Sequence, residues 1–229
     1  NVFMLKAFTK DDFISSRGVI VKETDTSITK RITNLYAVMV GVSDYKGDKL
    51  DLQYAAKYAL YLCHAFEAAA KKFLNTESGT ERVFMYRLVT DTPHTGFPDK
   101  ATIRQTLIEI GTKSKPNDIL VIFFAGHGVM LGEKQQFYFL TADASDSIQS
   151  SAIEEAGISM DTLTEWVRPS RIKAQNRVLI FDACNSGKAI TDFLTVGSDV
   201  ESKQIKTIEE LNERSKFFIL SASASDQSA

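Results

Sequence analysis

The sequence contains few residues of several types, and each scarcity excludes a class of protein. Two cysteines are too few for the disulfide framework of a small secreted scaffold. The cysteines and the three histidines nowhere show the spacing of a zinc site. The 27 basic residues do not outnumber the 29 acidic ones, and no basic run is interleaved with aromatics, which argues against a nucleic-acid partner. No apolar run reaches the roughly 18 residues needed to span a membrane.

The start of the chain gives no sign of export. Its first residues, NVFMLKAFTKDD, lack the basic start and the long apolar run of a secretory signal peptide. They also lack an initiating methionine, which indicates a fragment or a processed piece. Residues 1–34 carry only short β-like pieces at 17–21 and 27–32, so we interpret them as an N-terminal extension, a linker or the end of an upstream module.

From residue 35 onward, strand patterns alternate with helical ones, which is typical of an α/β protein with a doubly wound sheet. The pattern predicts strands at 35–42, 83–89, 119–125, 136–140, 177–182 and 217–221, and helices at 52–74, 100–112, 160–167 and 207–213. Cys63 and Phe73 belong to the apolar stripe of the first helix, so we interpret Cys63 as a buried packing residue. His64 follows Cys63 directly, and adjacent helix positions do not face each other.

A short, strongly apolar run ends at a cysteine. Residues 177–187 read RVLIFDACNSG, in which Asp182 is the one acid and Cys184 is followed by turn residues. Such a run is typical of a strand buried on both faces in a parallel sheet. It places the Cys184 thiol at the carboxyl end of a central strand, which is where ligands bind in open α/β sheets.

A second run of this kind ends at a histidine. Residues 118–128 read DILVIFFAGHG, so His127 lies between two glycines at a strand end. If the two strands are parallel neighbours, His127 and Cys184 meet at one sheet edge, outside the core, and the imidazole can take the thiol proton. Each motif alone is more often structural, but the pair, each closing a buried strand, favours a catalytic site.

Five segments carry a resemblance to a known family, and they read LYAVMVGVSDY, ILVIFFAGHG, FYFLTADAS, VLIFDACNSG and FFILSASASDQSA. Together they resemble the caspase-like cysteine peptidases of the bacterial metacaspase or orthocaspase type, although the glutamine of the caspase signature is absent. The resemblance implies a caspase-like α/β/α sandwich with a mostly parallel central sheet over residues 35–229. It also implies that the C-terminal part of the domain is missing or lies on another chain.

Further site residues follow from these motifs. Gly128 is expected to donate a backbone N–H to an oxyanion hole, together with the N–H of Cys184, although Gly128 equally suits a turn. The resemblance implies that Asp182 lines the S1 pocket and binds Arg or Lys of a substrate. A hydrogen-bonded acid at a strand end is the structural alternative for Asp182.

Two positions depart from the family pattern. Tyr58 stands where the family places a second pocket acid, and Ala125 stands where it often has a serine, so we expect a shallower or less acidic pocket. The Cys–His pair itself needs no metal. Some relatives bind activating calcium, and Asp143, Asp161 and Asp192 lie near the matching places, where solvated loop aspartates explain them equally well.

The leading hypothesis is a cysteine endopeptidase that cleaves proteins or peptides after Arg or Lys, in the cytoplasm, where a thiolate stays reduced. Further domains or a C-terminal subunit of the same protein are expected partners. Lys203 and Lys206, in the polar stretch 189–206, are predicted self-cleavage sites or else simply soluble surface lysines.

Two other functions stay open at this point. One is a catalytically impaired caspase-like interaction module, which Tyr58 and Ala125 favour and the retained Cys184 and His127 oppose. The other is a peptidase with a preference for Asp at P1, which would need an arginine beside one of the two motifs, and neither motif has one.

Overall fold

The structure is a computed structural model, and it describes residues 2–5, 19–22, 32–75, 81–91, 96–132, 136–146, 149–182 and 217–221. The chain divides into two compact units, Asn1–Ile32 and Thr33–Ala229. In the first unit, β1 (Val2–Leu5) and β2 (Val19–Lys22) pair antiparallel. The sequence pattern predicted a strand near β2 but missed β1.

The second unit follows the alternation that the sequence predicted. Its elements, in chain order, are β3 (Leu35–Gly41), α1 (Ala55–Leu74), β4 (Val83–Val89), α2 (Lys100–Lys113), β5 (Ile119–Ala125), β6 (Gly128–Leu131), β7 (Gln136–Leu140), α3 (Ser150–Ala156), β8 (Gly157–Ser159), α4 (Met160–Val167), β9 (Asn176–Asp182) and β10 (Phe218–Ser221). The helix predicted at 207–213 lies outside the described residues. No helix in the described part of the chain is both long and apolar enough to cross a bilayer.

Five parallel strands form the central sheet in the order β10-β9-β5-β3-β4. Every residue of β3 is buried, because the strand is central and carries apolar side chains on both faces. One face packs against α1, and the other packs against a core that includes α2 and α4. These three layers confirm the predicted α/β/α sandwich with a mostly parallel central sheet.

Helix α1 lies very close to the carboxyl end of β3. Its buried residues are small, namely Ala55, Ala56, Ala59 and Cys63. A Cβ atom built on Gly41 would lie 2.6 Å from the Cβ of Ala59, so only a glycine fits at this crossing. Cys63 is fully buried, as predicted.

The prediction for the end of α1 was wrong, since Phe73 is 74% exposed. In the same last turn, the neighbouring Leu74 is partly buried and packs against the core between α1 and the sheet. Adjacent helix positions do not face the same way, so Phe73 is left on the solvent side.

A buried carboxylate joins the amino ends of two central strands. Asp118 has no exposed surface; its Oδ1 accepts the Asn34 N–H at 2.9 Å, and its Oδ2 accepts the Lys115 N–H at 2.8 Å. Beside it, the Ile119 N–H donates to the Asn34 carbonyl at 2.9 Å. The segment before β3 is thus tied to the segment before β5.

A small antiparallel sheet, β6-β7-β8, follows the central strand β5. The sequence pattern predicted only β7 within it, and it predicted no helix at the position of α3. Strands of three or four residues carry too few alternating side chains to be recognised by their period.

Candidate active site

The two strands that carry the proposed catalytic motifs are neighbours in the sheet. Strands β5 and β9 pair in parallel, and Ala125 lies opposite Asp182. His127 lies two residues after Ala125, and Cys184 lies two residues after Asp182. Neighbouring strands lie about 4.8 Å apart, so the two strand ends emerge side by side at the carboxyl edge. Cys184 itself lies outside the described residues.

Hydrogen bonds hold both the backbone and the ring of His127. Its backbone N–H donates to the Tyr45 hydroxyl at 2.9 Å, and its carbonyl accepts the Leu140 N–H at 2.9 Å. The ring Nε2 lies 2.8 Å from the carbonyl oxygen of Leu50. A carbonyl oxygen only accepts, so Nε2 carries the proton, and the neutral imidazole has its basic lone pair on Nδ1.

The imidazole is also largely withdrawn from water. His127 lies at the strand end, as expected, but it is only 3% exposed, so its side chain belongs to the interior and not to an open edge. Burial lowers the pKa of His127, and the hydrogen bond to the Leu50 carbonyl opposes that shift. The ring is therefore a neutral base at neutral pH.

Sequence reasoning missed the loop that holds this histidine. Tyr45 and Leu50 both come from the polar segment after β3, where the sequence pattern predicted neither a helix nor a strand. Tyr45 is 4% exposed, and its ring centroid lies 5.3 Å from that of His127. The signal available in the sequence was one aromatic residue within a run of polar and small residues.

A cavity of about 570 Å³ borders the same loop. Its charged lining residues come from three segments and are of both signs: Asp44, Lys46, Asp143 and Glu155. Tyr45 lines this cavity and also contacts His127, so one side chain adjoins both.

Asp182 lies on the face of the sheet that α1 covers. It alternates with Val178 and Ile180, which pack against the α1-facing core. Across the strands, Gly41 pairs with Ala125 and Ala125 pairs with Asp182, so two small residues and one acid form a row. Burial raises the pKa of Asp182, and no cation of the described residues offsets that shift.

The residues that depart from the family pattern lie in different surroundings. Ala125 is buried in the row beside Asp182. Tyr58 is 50% exposed, on the side of α1 away from the sheet, and its ring stacks on that of Tyr54 at 5.9 Å. The structure therefore does not bring Tyr58 together with Asp182.

Gly128 is the first residue of β6, where it pairs with Phe139 of β7. Among the described glycines of this motif, Gly126 has the positive φ, of 155°. Gly126 is therefore the residue whose backbone conformation requires glycine. Gly128 begins strand β6 and does not form a turn.

The proposed calcium residues do not form a described cluster. Asp161 accepts a hydrogen bond from Gln136 Nε2 at 2.9 Å, and Asp143 accepts the Lys100 N–H at 3.4 Å. Asp192 lies outside the described residues. Within the described part of the chain, no group of three or more His, Cys, Asp or Glu side chains could hold a metal ion.

Residues 36–193 match the family model described as "Metacaspase, peptidase C14 domain". The chain belongs to the metacaspase family. The matched metacaspase segment is a cysteine-peptidase domain, and it includes the positions of both His127 and Cys184. The last central strand, β10, follows the matched segment.

Comparisons with individual proteins add little to the metacaspase assignment. No curated protein matches the chain significantly. Among solved structures, protein GSU0716 from Geobacter sulfurreducens is similar with a TM-score of 0.45 and 13% identity, over 79% of this chain. The metacaspase chain spans 64% of the length of that protein.

Proposed function

We propose that this metacaspase is a cysteine endopeptidase in which Cys184 is the nucleophile and His127 is the general base. The observation that carries the proposal is the pairing of Ala125 with Asp182, since it sets the ends of the two motif strands side by side. The Nε2 hydrogen bond to the Leu50 carbonyl supports it, because it leaves the basic lone pair on Nδ1.

The reaction follows the chemistry of a thiol beside an imidazole. His127 Nδ1 takes the thiol proton, and the Cys184 thiolate attacks the peptide carbonyl. The backbone N–H groups of Gly128 and Cys184 stabilise the resulting oxyanion. His127 then returns its proton to the leaving amine as the C–N bond breaks and a thioester forms. Water, deprotonated by His127, hydrolyses the thioester and restores the thiol.

The surroundings of His127 suit both protonation states of this cycle. Burial disfavours the imidazolium in the resting enzyme, so that the ring starts as a base. The Leu50 carbonyl stabilises the imidazolium once it forms, because that hydrogen bond favours the charged ring. It also fixes which ring nitrogen exchanges the proton.

The proposed S1 pocket lies beside Asp182, at the end of the row that also contains Gly41 and Ala125. Helix α1 fills the space over Gly41, whereas Asp182 is partly exposed, so its carboxylate is the member of the row that is open to a substrate side chain. A partly buried carboxylate without a described cationic partner is complementary to an Arg or Lys side chain. We therefore propose cleavage after basic residues.

Cleavage of matched peptides that differ only in Arg, Lys or Asp at P1 tests the proposal. Wild type is expected to cleave the Arg and Lys peptides, whereas Cys184→Ala and His127→Gln are expected to cleave none of them. Thermal denaturation checks that both variants are folded, which matters because His127 is buried. Turnover near the wild-type rate in either folded variant would contradict the assignment.

The second candidate is an interaction module that has lost efficient catalysis. The observation that favours it is an aromatic stripe at the start of α1, in which the N-cap Tyr54 and the helical Tyr58 and Tyr61 are 47, 50 and 69% exposed. Exposed aromatic residues are enriched at protein–protein interfaces. A thiol-reactive activity probe separates the candidates, because a pseudoenzyme would label Cys184 no faster than the buried Cys63.

Self-processing extends the proposal to Lys203 and Lys206, which lie outside the described residues. A segment tethered close to Cys184 has a high effective concentration at the site, on the order of millimolar. These lysines are also the residue type that the Asp182 carboxylate would select.

A further inference from the structure

We propose that Tyr45 is a positioning residue of this peptidase: its hydroxyl fixes the backbone of His127 and thereby directs the imidazole toward the nucleophile. This inference rests on the proposed catalytic pair. In this scheme Tyr45 neither binds the substrate nor exchanges a proton, and it acts through His127.

The first support is the contact itself. The Tyr45 hydroxyl accepts the buried His127 N–H at 2.9 Å, where no solvent can replace it. With the Leu140 hydrogen bond on the other side, both backbone polar groups of His127 are held. These bonds define the direction in which the side chain leaves the chain.

The second support is that one loop holds His127 at two points. Tyr45 holds its backbone, and Leu50, five residues later, holds its Nε2. The loop between them is braced, because the Tyr45 N–H donates to Asp51 Oδ1 at 2.9 Å and the Leu52 N–H donates to the Ser43 carbonyl at 2.8 Å. One loop therefore fixes both the backbone and the ring of His127.

The third support comes from the glycine that precedes the histidine. A Cβ atom on Gly126 would lie 2.8 Å from the Tyr45 hydroxyl oxygen, and the φ of Gly126 is +155°. Because Gly126 has no side chain, the Tyr45 hydroxyl can approach the backbone N–H of His127. Burial also raises the pKa of Tyr45, so its hydroxyl stays neutral throughout the working pH range.

Tyr45→Phe removes the one oxygen and keeps the ring, so it isolates the hydrogen bond. We expect kcat to fall roughly 10- to 100-fold, because a misdirected base loses alignment, while KM stays unchanged. Tyr86→Phe is the matched control, since it also removes one hydroxyl hydrogen bond, to Glu109 Oε1 at 3.2 Å, but on the edge strand β4. Asp51→Ala, which frees the Tyr45 N–H, is expected to act in the same direction more weakly.

A second readout does not require turnover. The rate at which iodoacetamide alkylates Cys184, followed against pH by mass spectrometry, reports how readily His127 takes the thiol proton. In Tyr45→Phe the profile should move toward that of an ordinary thiol, with a midpoint near about 8.5, and His127→Gln should reach that limit. A loss of stability alone would lower the melting temperature without moving this profile.

The outcomes separate the two proposals. If wild type cleaves peptides and Tyr45→Phe matches it in kcat and in alkylation profile, the role of Tyr45 is refuted while the catalytic pair stands. If the wild-type profile already equals that of an ordinary thiol, the pairing of Cys184 with His127 is refuted, and the inference about Tyr45 with it.

Discussion

Asp182→Asn gives the sharpest test of substrate selection, because it removes the charge and nearly preserves the shape. In the structure, the carboxylate is partly buried at the end of β9, beside Ala125, and no described cation neutralises it. A bound Arg or Lys side chain would supply that cation. Losing one member of such a buried pair costs about 2–5 kcal/mol.

That cost corresponds to a fall of roughly 30-fold to several thousand-fold in kcat/KM for basic peptides, at about 1.4 kcal/mol for each factor of ten. The assay compares wild type and Asp182→Asn on peptides with Arg, Lys or norleucine at P1. The norleucine peptide should be affected little, since it carries no charge. Asp44→Asn, which removes an exposed carboxylate from the neighbouring loop, is the control for general electrostatics.

The same substitution has an opposite effect on stability. Because the pKa of Asp182 is raised in the folded protein, folding favours the protonated carboxyl, and the ionised form present at neutral pH costs stability. Asp182→Asn should therefore melt at the wild-type temperature or above it at pH 7. An unchanged P1 preference in the variant, or a wild type that prefers Asp at P1, would refute the proposed pocket.

Two further predictions concern His127 and the self-cleavage sites. Burial lowers the pKa of His127 in the folded protein, so as the pH falls the unfolded chain binds a proton at this position before the folded chain does. In a Cys184→Ala background, the free energy of unfolding should therefore be constant above about pH 6.5 and decrease as the pH drops below it. Melting curves from pH 8 to pH 5 check this, and an equal fall in the Cys184→Ala/His127→Gln variant would contradict it. Purified wild type should be cut after Lys203 or Lys206, whereas Cys184→Ala should stay intact by mass spectrometry. Intact wild type under conditions that cleave peptides would rule out self-processing.

The central sheet could be predicted because its strands are short apolar runs between turn residues. The pattern at 119–125 gave β5 with the bounds observed. The sequence also indicated that β5 and β9 are internal strands, since both runs are too apolar for an edge strand. That the two are neighbours was only a condition of the catalytic hypothesis, and the structure meets it.

The hydrogen bonds that fix His127 could not be predicted from the sequence pattern. Its partners are a hydroxyl at position 45 and a carbonyl at position 50, which lie 82 and 77 residues away along the chain. A carbonyl has no sequence signature, because every residue carries one. The burial of His127 was missed for a related reason, since the loop that covers it has a polar composition typical of exposed segments.

The buried Asp118 carboxylate, which accepts the N–H groups of Asn34 and Lys115, sets the register of two strands, and that register matters at the opposite end of the sheet. Parallel strands have no hairpin turn to fix their register, and a slip of one residue moves each side chain to the other face. By tying the segments before β3 and β5 together, Asp118 determines that Gly41 lies opposite Ala125, seven residues or about 23 Å further on. The geometry of the proposed catalytic edge therefore depends on a buried carboxylate at the opposite end of the strands.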